Sequence, residues 1–205
     1  MTNETVSKSP RKPVLPWFGA FFVAIIAAGV ALNLSDIKDP LVANLIMASP
    51  MVFIVKAGLN AMANAGTQGA VGSPTRNYLK RMLIVSLTYV GSLIAAVMLI
   101  DEGDPITPLS MIIAIVPGLA VVGYFWAIGR FILEVKDEFI RMLNIRQSLI
   151  ATAISLSAAS VWGFLENFEQ VPHIDAYWWP ILWFFGLGVG GIANKITYGT
   201  AGDSM

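Results

Sequence analysis

The chain has 205 residues, of which 56% are hydrophobic and 13% charged, with a mean hydropathy of +0.70. Soluble domains carry about 25% charged residues, so a water-soluble fold would leave too much apolar surface exposed. A net charge of zero gives no long-range pull on nucleic acid, and no direct nucleic-acid binding is expected. The absence of cysteine removes disulfides, thiolate metal sites and cysteine nucleophiles.

The tail "MTNETVSKSPRKPVLPW" leads with Lys8, Arg11 and Lys12 into an apolar run over 15–34. That run exceeds the roughly 7–15 apolar residues of a signal-peptide core, and no small-x-small cleavage site follows it. A retained first span is expected. The second span, 41–57, is interrupted at Ser49-Pro50, and Lys56 near its end can reach the interface. The stretch 58–81 is rich in Gly, Ala, Asn and Ser and contains Ser73-Pro74. Such composition predicts a flexible cytoplasmic linker, between a hairpin unit of 1–57 and a four-helix unit of 82–205.

The third span is expected over 82–100 and the fourth over 109–128. Thr107 is placed as the N-cap of the fourth, Pro108 in its first turn, and Pro117-Gly118 as a kink. The fifth covers 148–165, with a helical cytoplasmic extension from about residue 137, and the sixth covers 177–193. Each run approaches the ~20 apolar residues needed to cross a bilayer. The fold class is all-α, a polytopic membrane bundle of six helices.

Basic residues orient it. With the N-terminus inside, Lys38 is the only one of 13 Lys and Arg residues on the outer side. Shifting the span count by one would destroy this asymmetry, so both termini are expected in the cytoplasm of a bacterial inner membrane. The outer loops are acidic: Asp36 and Asp39; Asp101, Glu102 and Asp104; Glu166, Glu169 and Asp175. Trp162, Trp178, Trp179 and Trp183 fall where an outer aromatic belt would lie.

No Asp, Glu, Lys, Arg or His lies near the middle of any span, which argues against ion-coupled transport. Ser86, Thr88, Ser92, Thr152 and Ser155 occur at depth, where such hydroxyls bond backbone or bridge helices. Gly186 and Gly190 form GxxxG in the sixth span, and Ala151, Ser155 and Ala159 repeat a small-xxx-small pattern in the fifth. These are helix-packing faces, because lipid supplies no hydrophobic drive between helices and close contact must. The outer loop "ENFEQVPHIDAYWW" holds Glu166, Glu169, Asp175 and His173, the chain's only imidazole. Its spacing fits no compact metal motif, and it lies too far out to serve a hydroxyl nucleophile inside the membrane. Neither a catalytic set nor a cofactor site is expected.

The most charged stretch is "FILEVKDEFIRMLNIRQ", residues 131–147. Asp137 is expected to cap the fifth helix, with Glu138 in its first turn. Arg141 is spaced to pair with Asp137 or Glu138, and Val135, Phe139 and Leu143 form an apolar stripe. Glu134, Asp137, Glu138, Arg141 and Arg146 are the candidate residues for docking a protein partner.

The motifs "YLKRM", "GRFILEVKDEFIRM" and "GFLENF", the last followed by an aromatic helix, resemble those of a family of small bacterial inner-membrane proteins. The resemblance spans roughly residues 78–195 and implies four spans, so the 1–57 hairpin departs from the family pattern. It carries no catalytic residues. Proximity of such genes to a small helix-turn-helix regulator implies a membrane partner for a transcription factor. The expected function is a non-enzymatic membrane protein, embedded in the lipid bilayer, that binds a protein partner, as a regulator tethering a soluble factor or as an accessory subunit of a larger membrane assembly, or that binds a second copy of itself. The alternative is a small permease or channel for a neutral or apolar solute, with Pro50, Pro117 and the hydroxyls of the third and fifth spans along its path.

Overall fold

In the computed structural model the described residues are 11–202 without Asp36, Lys38, Thr67, Gln68, Asp101, Glu102 and Asp104. Lys8, Lys38 and the acidic residues Asp36, Asp101, Glu102 and Asp104, which helped to set the orientation, lie outside them. The described residues form helices and no strand. The helices are α1 Leu15–Leu34, α2 Pro40–Ala48, α3 Met51–Gly66, α4 Gly69–Leu99, α5 Pro108–Glu134, α6 Glu138–Asn167 and α7 Trp178–Tyr198. Five segments are long and apolar enough to cross a membrane: Leu15–Leu34, Pro40–Gly66, Ser73–Leu99, Pro108–Glu134 and Glu138–Asn167. No more than 11% of the most apolar window in any of them is buried. Most of their apolar side chains are thus exposed or half-buried, which is consistent with contact with lipid.

The chain divides into two compact units, one up to Phe131 and one from Ile132. The expected boundary at the 58–81 linker is corrected, because 58–66 and 69–81 are helical. The linker composition misled for a local reason. Asn60 and Asn64 read as loop formers because an unpartnered amide competes with the helix backbone. Here each amide has a partner: Asn60 Nδ2 donates to the Pro13 carbonyl at 2.7 Å, and Asn64 exchanges two bonds with the Lys12 main chain at 2.8 and 2.9 Å. Asn60 is buried together with Ala57 and Ala65. The second span accordingly runs past Lys56 to Gly66.

Within the first unit, Asp39 caps α2 by accepting from the Leu41 and Val42 N–H groups. Pro50 supplies no N–H and separates α2 from α3, and the Ser49 hydroxyl takes the Ile46 carbonyl at 2.8 Å. Thr107 and Ser110 close the start of α5 reciprocally: Ser110 N donates to Thr107 Oγ1 at 3.1 Å and Thr107 N to Ser110 Oγ at 2.9 Å. This has the pattern of a capping box. α5 continues through Pro117 as one helix. Tyr124 donates to Ser86 Oγ at 2.9 Å, and Val85 closes on Gly123.

The second unit is an antiparallel hairpin of α6 and α7. α6 ends with the Gln170 N–H on the Leu165 carbonyl and the Glu169 N–H on the Glu166 carbonyl, a Schellman closure with Glu169 at φ 57°. α7 stops at Gly199, whose φ of 77° costs nothing without a Cβ.

Candidate functional site

The segment Val135–Asp137 separates α5 from α6, and its conformation follows from three local interactions. Asp137 Oδ1 accepts from the Phe139 and Ile140 N–H groups at 2.9 and 3.1 Å, so the carboxylate is the N-cap of α6, with Glu138 in the first turn. The Arg141 guanidinium donates twice to the Val135 carbonyl, at 3.1 and 2.6 Å. Val135 and Leu143 are buried beneath the turn. The expected ion pair of Arg141 with Asp137 or Glu138 is thus corrected. The carboxylate is taken by the helix N–H groups, and the guanidinium by a main-chain carbonyl that no helix bond satisfies. Lys136, Asp137, Glu138 and Phe139 are left exposed, while Glu134 and Arg141 are half-buried.

Arg146, the fifth docking candidate, points elsewhere. Its Nη1 donates to Asn194 Oδ1 at 3.1 Å and its Nη2 to Thr197 Oγ1 at 3.5 Å, and its guanidinium lies 5.1 Å from the Tyr198 ring centroid. It is held against α7, apart from the exposed turn.

The small residues lie along the α6–α7 seam. A Cβ on Gly186 would meet Ala151 Cα at 2.6 Å, and one on Gly190 would meet Gln147 Cα at 2.8 Å. Ser155 is buried and donates to the Trp179 carbonyl at 2.8 Å, and Ala159 is half-buried one turn further on. Trp183 Nε1 donates to Thr152 Oγ1 at 3.0 Å. Trp183 is therefore a seam residue, and its expected place in an interfacial belt is corrected. Ser86, Thr152 and Ser155 all donate to main-chain carbonyls, at 2.8 Å each, so none offers a spare donor to a solute path.

Composition gave no hint of the polar cluster that closes the seam at the Arg146 end. Fully buried Asn194 donates to the Leu143 carbonyl at 2.9 Å while accepting from Arg146. Gln147 donates to the Ala201 carbonyl at 2.5 Å, which folds the segment after α7 back onto α6. The one available signal was Asn194 itself, a polar residue one turn after GxxxG on the same helix face.

At the other end, His173 Nδ1 is hydrogen-bonded to Glu166 Oε1 at 2.5 Å, and Nε2 lies 3.7 Å from Asp175. No group of three metal-ligating side chains converges among the described residues. The hydrogen bond to Glu166, then the charges of Glu166 and Asp175, raise the His173 pKa above its ordinary 6.5. A raised folded-state pKa means the pair contributes below 6.5, while Glu166 stays ionised, and is lost as pH rises through the folded value. The hydrogen bond to His173 lowers the Glu166 pKa, so the acid loss comes below the ordinary carboxylate range. The imidazole proton resonances of His173 should titrate with a midpoint above 6.5, and Glu166→Gln should bring it down. An unchanged midpoint in Glu166→Gln would disprove the pairing. Nearby, an apolar groove of about 330 Å³ is lined by Ile174, Trp178, Trp179, Ile181, Leu182 and Phe185.

Comparison of the chain with protein-family models, with curated proteins and with solved structures finds no match.

Proposed function

We propose that this chain is a non-enzymatic integral protein of a bacterial inner membrane, with six spans and both termini cytoplasmic, and that its α5–α6 turn holds a protein partner. The sixth span is α7. Its 21 residues are about 31 Å long, enough to cross the ~30 Å hydrocarbon core. Trp and Gly lower its hydropathy, but it lies along α6 from Ser155–Trp179 to Arg146–Asn194. A helix seated along a spanning partner for that distance shares its surroundings.

The observation that carries the docking reading is the fixed turn. The Asp137 cap and the paired Arg141–Val135 bonds hold Lys136, Glu138 and Phe139 outward on a preorganised scaffold. A surface ordered before binding loses less entropy when a partner seats on it. The partner is either a soluble regulator tethered at the membrane or a neighbouring subunit of a larger membrane assembly; a second copy of the chain is the homomeric version of the latter.

The test uses Asp137→Asn combined with Glu138→Gln. Asparagine caps a helix about as well as aspartate, so the turn keeps its shape and loses only charge. A photo-crosslinking residue at Lys136 should give one discrete protein adduct in cells, reduced by about tenfold in the double variant, as for ~1.4 kcal/mol of lost complementarity. Absence of an adduct, or equal adducts from a probe at Glu169 on the other end of α6, would overturn the reading.

A further inference from the structure

Arg146 and Lys195 stand out at the inner end of the hairpin because, among the described residues, neither has a counter-charge. All polar contacts of Arg146 are to neutral atoms: Asn194 Oδ1, Thr197 Oγ1 and the Tyr198 ring. Lys195, the residue after Asn194 and three before Tyr198, is exposed. No carboxylate among the described residues forms a salt bridge with either. The closest acidic residues along α6 are Glu138 and the capping Asp137. Asp137 precedes Arg146 by nine residues, roughly 13 Å along the helix, which exceeds the ~8 Å screening length of physiological salt. A half-buried guanidinium oriented by neutral oxygens is positioned but not neutralised, and the remaining charge is costly at a low-dielectric boundary.

Depth identifies what neutralises it. From Trp178 to Lys195 α7 rises about 26 Å, close to the ~30 Å hydrocarbon thickness. If α7 spans as proposed, with Trp178 at one interface, Lys195 and Arg146 come level with the headgroups of the other. The bonds through Nη1 and Nη2 hold the fork of Arg146, and Nε–H makes no hydrogen bond among the described residues; a guanidinium held in this way suits a two-oxygen anion. Phe139, edge-on to Tyr198 at 5.9 Å, adds an apolar ledge beside the charge.

We propose that Arg146 and Lys195 form a binding site for the phosphate of an anionic phospholipid headgroup at the inner end of the α6–α7 hairpin. The site rests on the spanning of α7 in the reading above, but not on the protein partner. The lipid pins the hairpin at the same membrane face from which the α5–α6 turn is displayed.

The test uses the full chain purified in a neutral detergent, with thermal midpoint and native mass spectrometry as readouts. Phosphatidylglycerol should raise the midpoint in a dose-dependent way, giving one retained lipid and a response that shrinks at high salt. Phosphatidylcholine should not. Arg146→Gln should weaken the response by about tenfold or more, the scale of one lost charge-assisted fork. Lys195→Gln, which removes no side-chain hydrogen bond or ion pair among the described residues, should weaken it severalfold with the lipid-free midpoint unchanged, so the site stays testable if Arg146→Gln loosens the hairpin. Equal stabilisation by phosphatidylcholine, or an undiminished response in Lys195→Gln, would overturn the site. Inorganic phosphate reproducing the shift at equal concentration would make it a site for a soluble anion and overturn the lipid assignment.

Discussion

Gly186→Ala should lower the thermal midpoint of the purified protein, while Gly188→Ala, two residues away, should leave it unchanged or raise it. Both changes replace glycine by a better helix former, a gain of about 0.5–1 kcal/mol in a helix interior. They differ in what the new methyl meets. At Gly188 it meets nothing within 4 Å; at Gly186 it would sit 2.6 Å from Ala151 Cα. Backbone cannot rotate away as a side chain can, so α7 must move off α6, and overpacking of this kind costs about 1–3 kcal/mol. Gly190→Ala, facing Gln147 Cα at 2.8 Å, should behave like Gly186→Ala. Gly191→Ala should be milder, because its neighbour at 3.2 Å is the movable Gln147 Nε2. In lipid or detergent this seam has no hydrophobic drive to fall back on, so contact distance sets its strength directly. Tryptophan fluorescence during heating reads the result through Trp183, which lies in the seam. Gly186→Ala and Gly188→Ala shifting the midpoint equally would refute the close approach.

Much of the helix plan was legible because it rests on local rules. Asp137 precedes Glu138 and an uninterrupted helical pattern, and it is the cap of α6. Thr107-Pro108 opens α5 in the same way. The spacing of Gly186 and Gly190 marks the face of α7 that lies on Ala151 and Gln147. Helix periodicity and capping are properties of neighbouring residues, and a sequence displays them. The 58–81 stretch was misread because its structure depends on a distant segment. Nothing near Asn60 and Asn64 announces that Lys12 and Pro13 will satisfy their amides.

The charged turn shows the same division within a few residues. The apolar stripe of Val135 and Leu143 could be read from spacing, and both are buried. Arg141 could not be assigned so easily. On an ideal exposed helix an i,i+4 pair with Asp137 is worth about 0.3–0.5 kcal/mol, less than the net value of a charge-assisted bond to a main-chain carbonyl, ~1.5–3 kcal/mol. Once the capping role occupies Asp137, the Val135 carbonyl is the stronger claim on the guanidinium. The general consequence is that charge spacing on a helix predicts pairs poorly where the helix begins, because backbone groups without helical partners compete there.

Asn194→Ala should destabilise the hairpin by about 1–3 kcal/mol, the usual cost of stranding buried hydrogen-bonding partners. The amide is fully buried and works in both directions, donating to the Leu143 carbonyl and accepting from Arg146. Alanine leaves that carbonyl with only its helical bond and leaves Arg146 Nη1 without its oxygen. Asn194→Leu fills the volume but not the bonding, so it should recover little; full recovery would show that packing alone fixes this end. The sharper test is a double-mutant cycle with Arg146→Ala, in which the two losses should fall short of additive by roughly 1 kcal/mol, as for residues in direct contact. Strict additivity would mean that Asn194 does not position the guanidinium. The coupling links stability to chemistry: the amide that closes the seam also aims Arg146, so Asn194→Ala should weaken phosphatidylglycerol binding even though Asn194 touches no lipid.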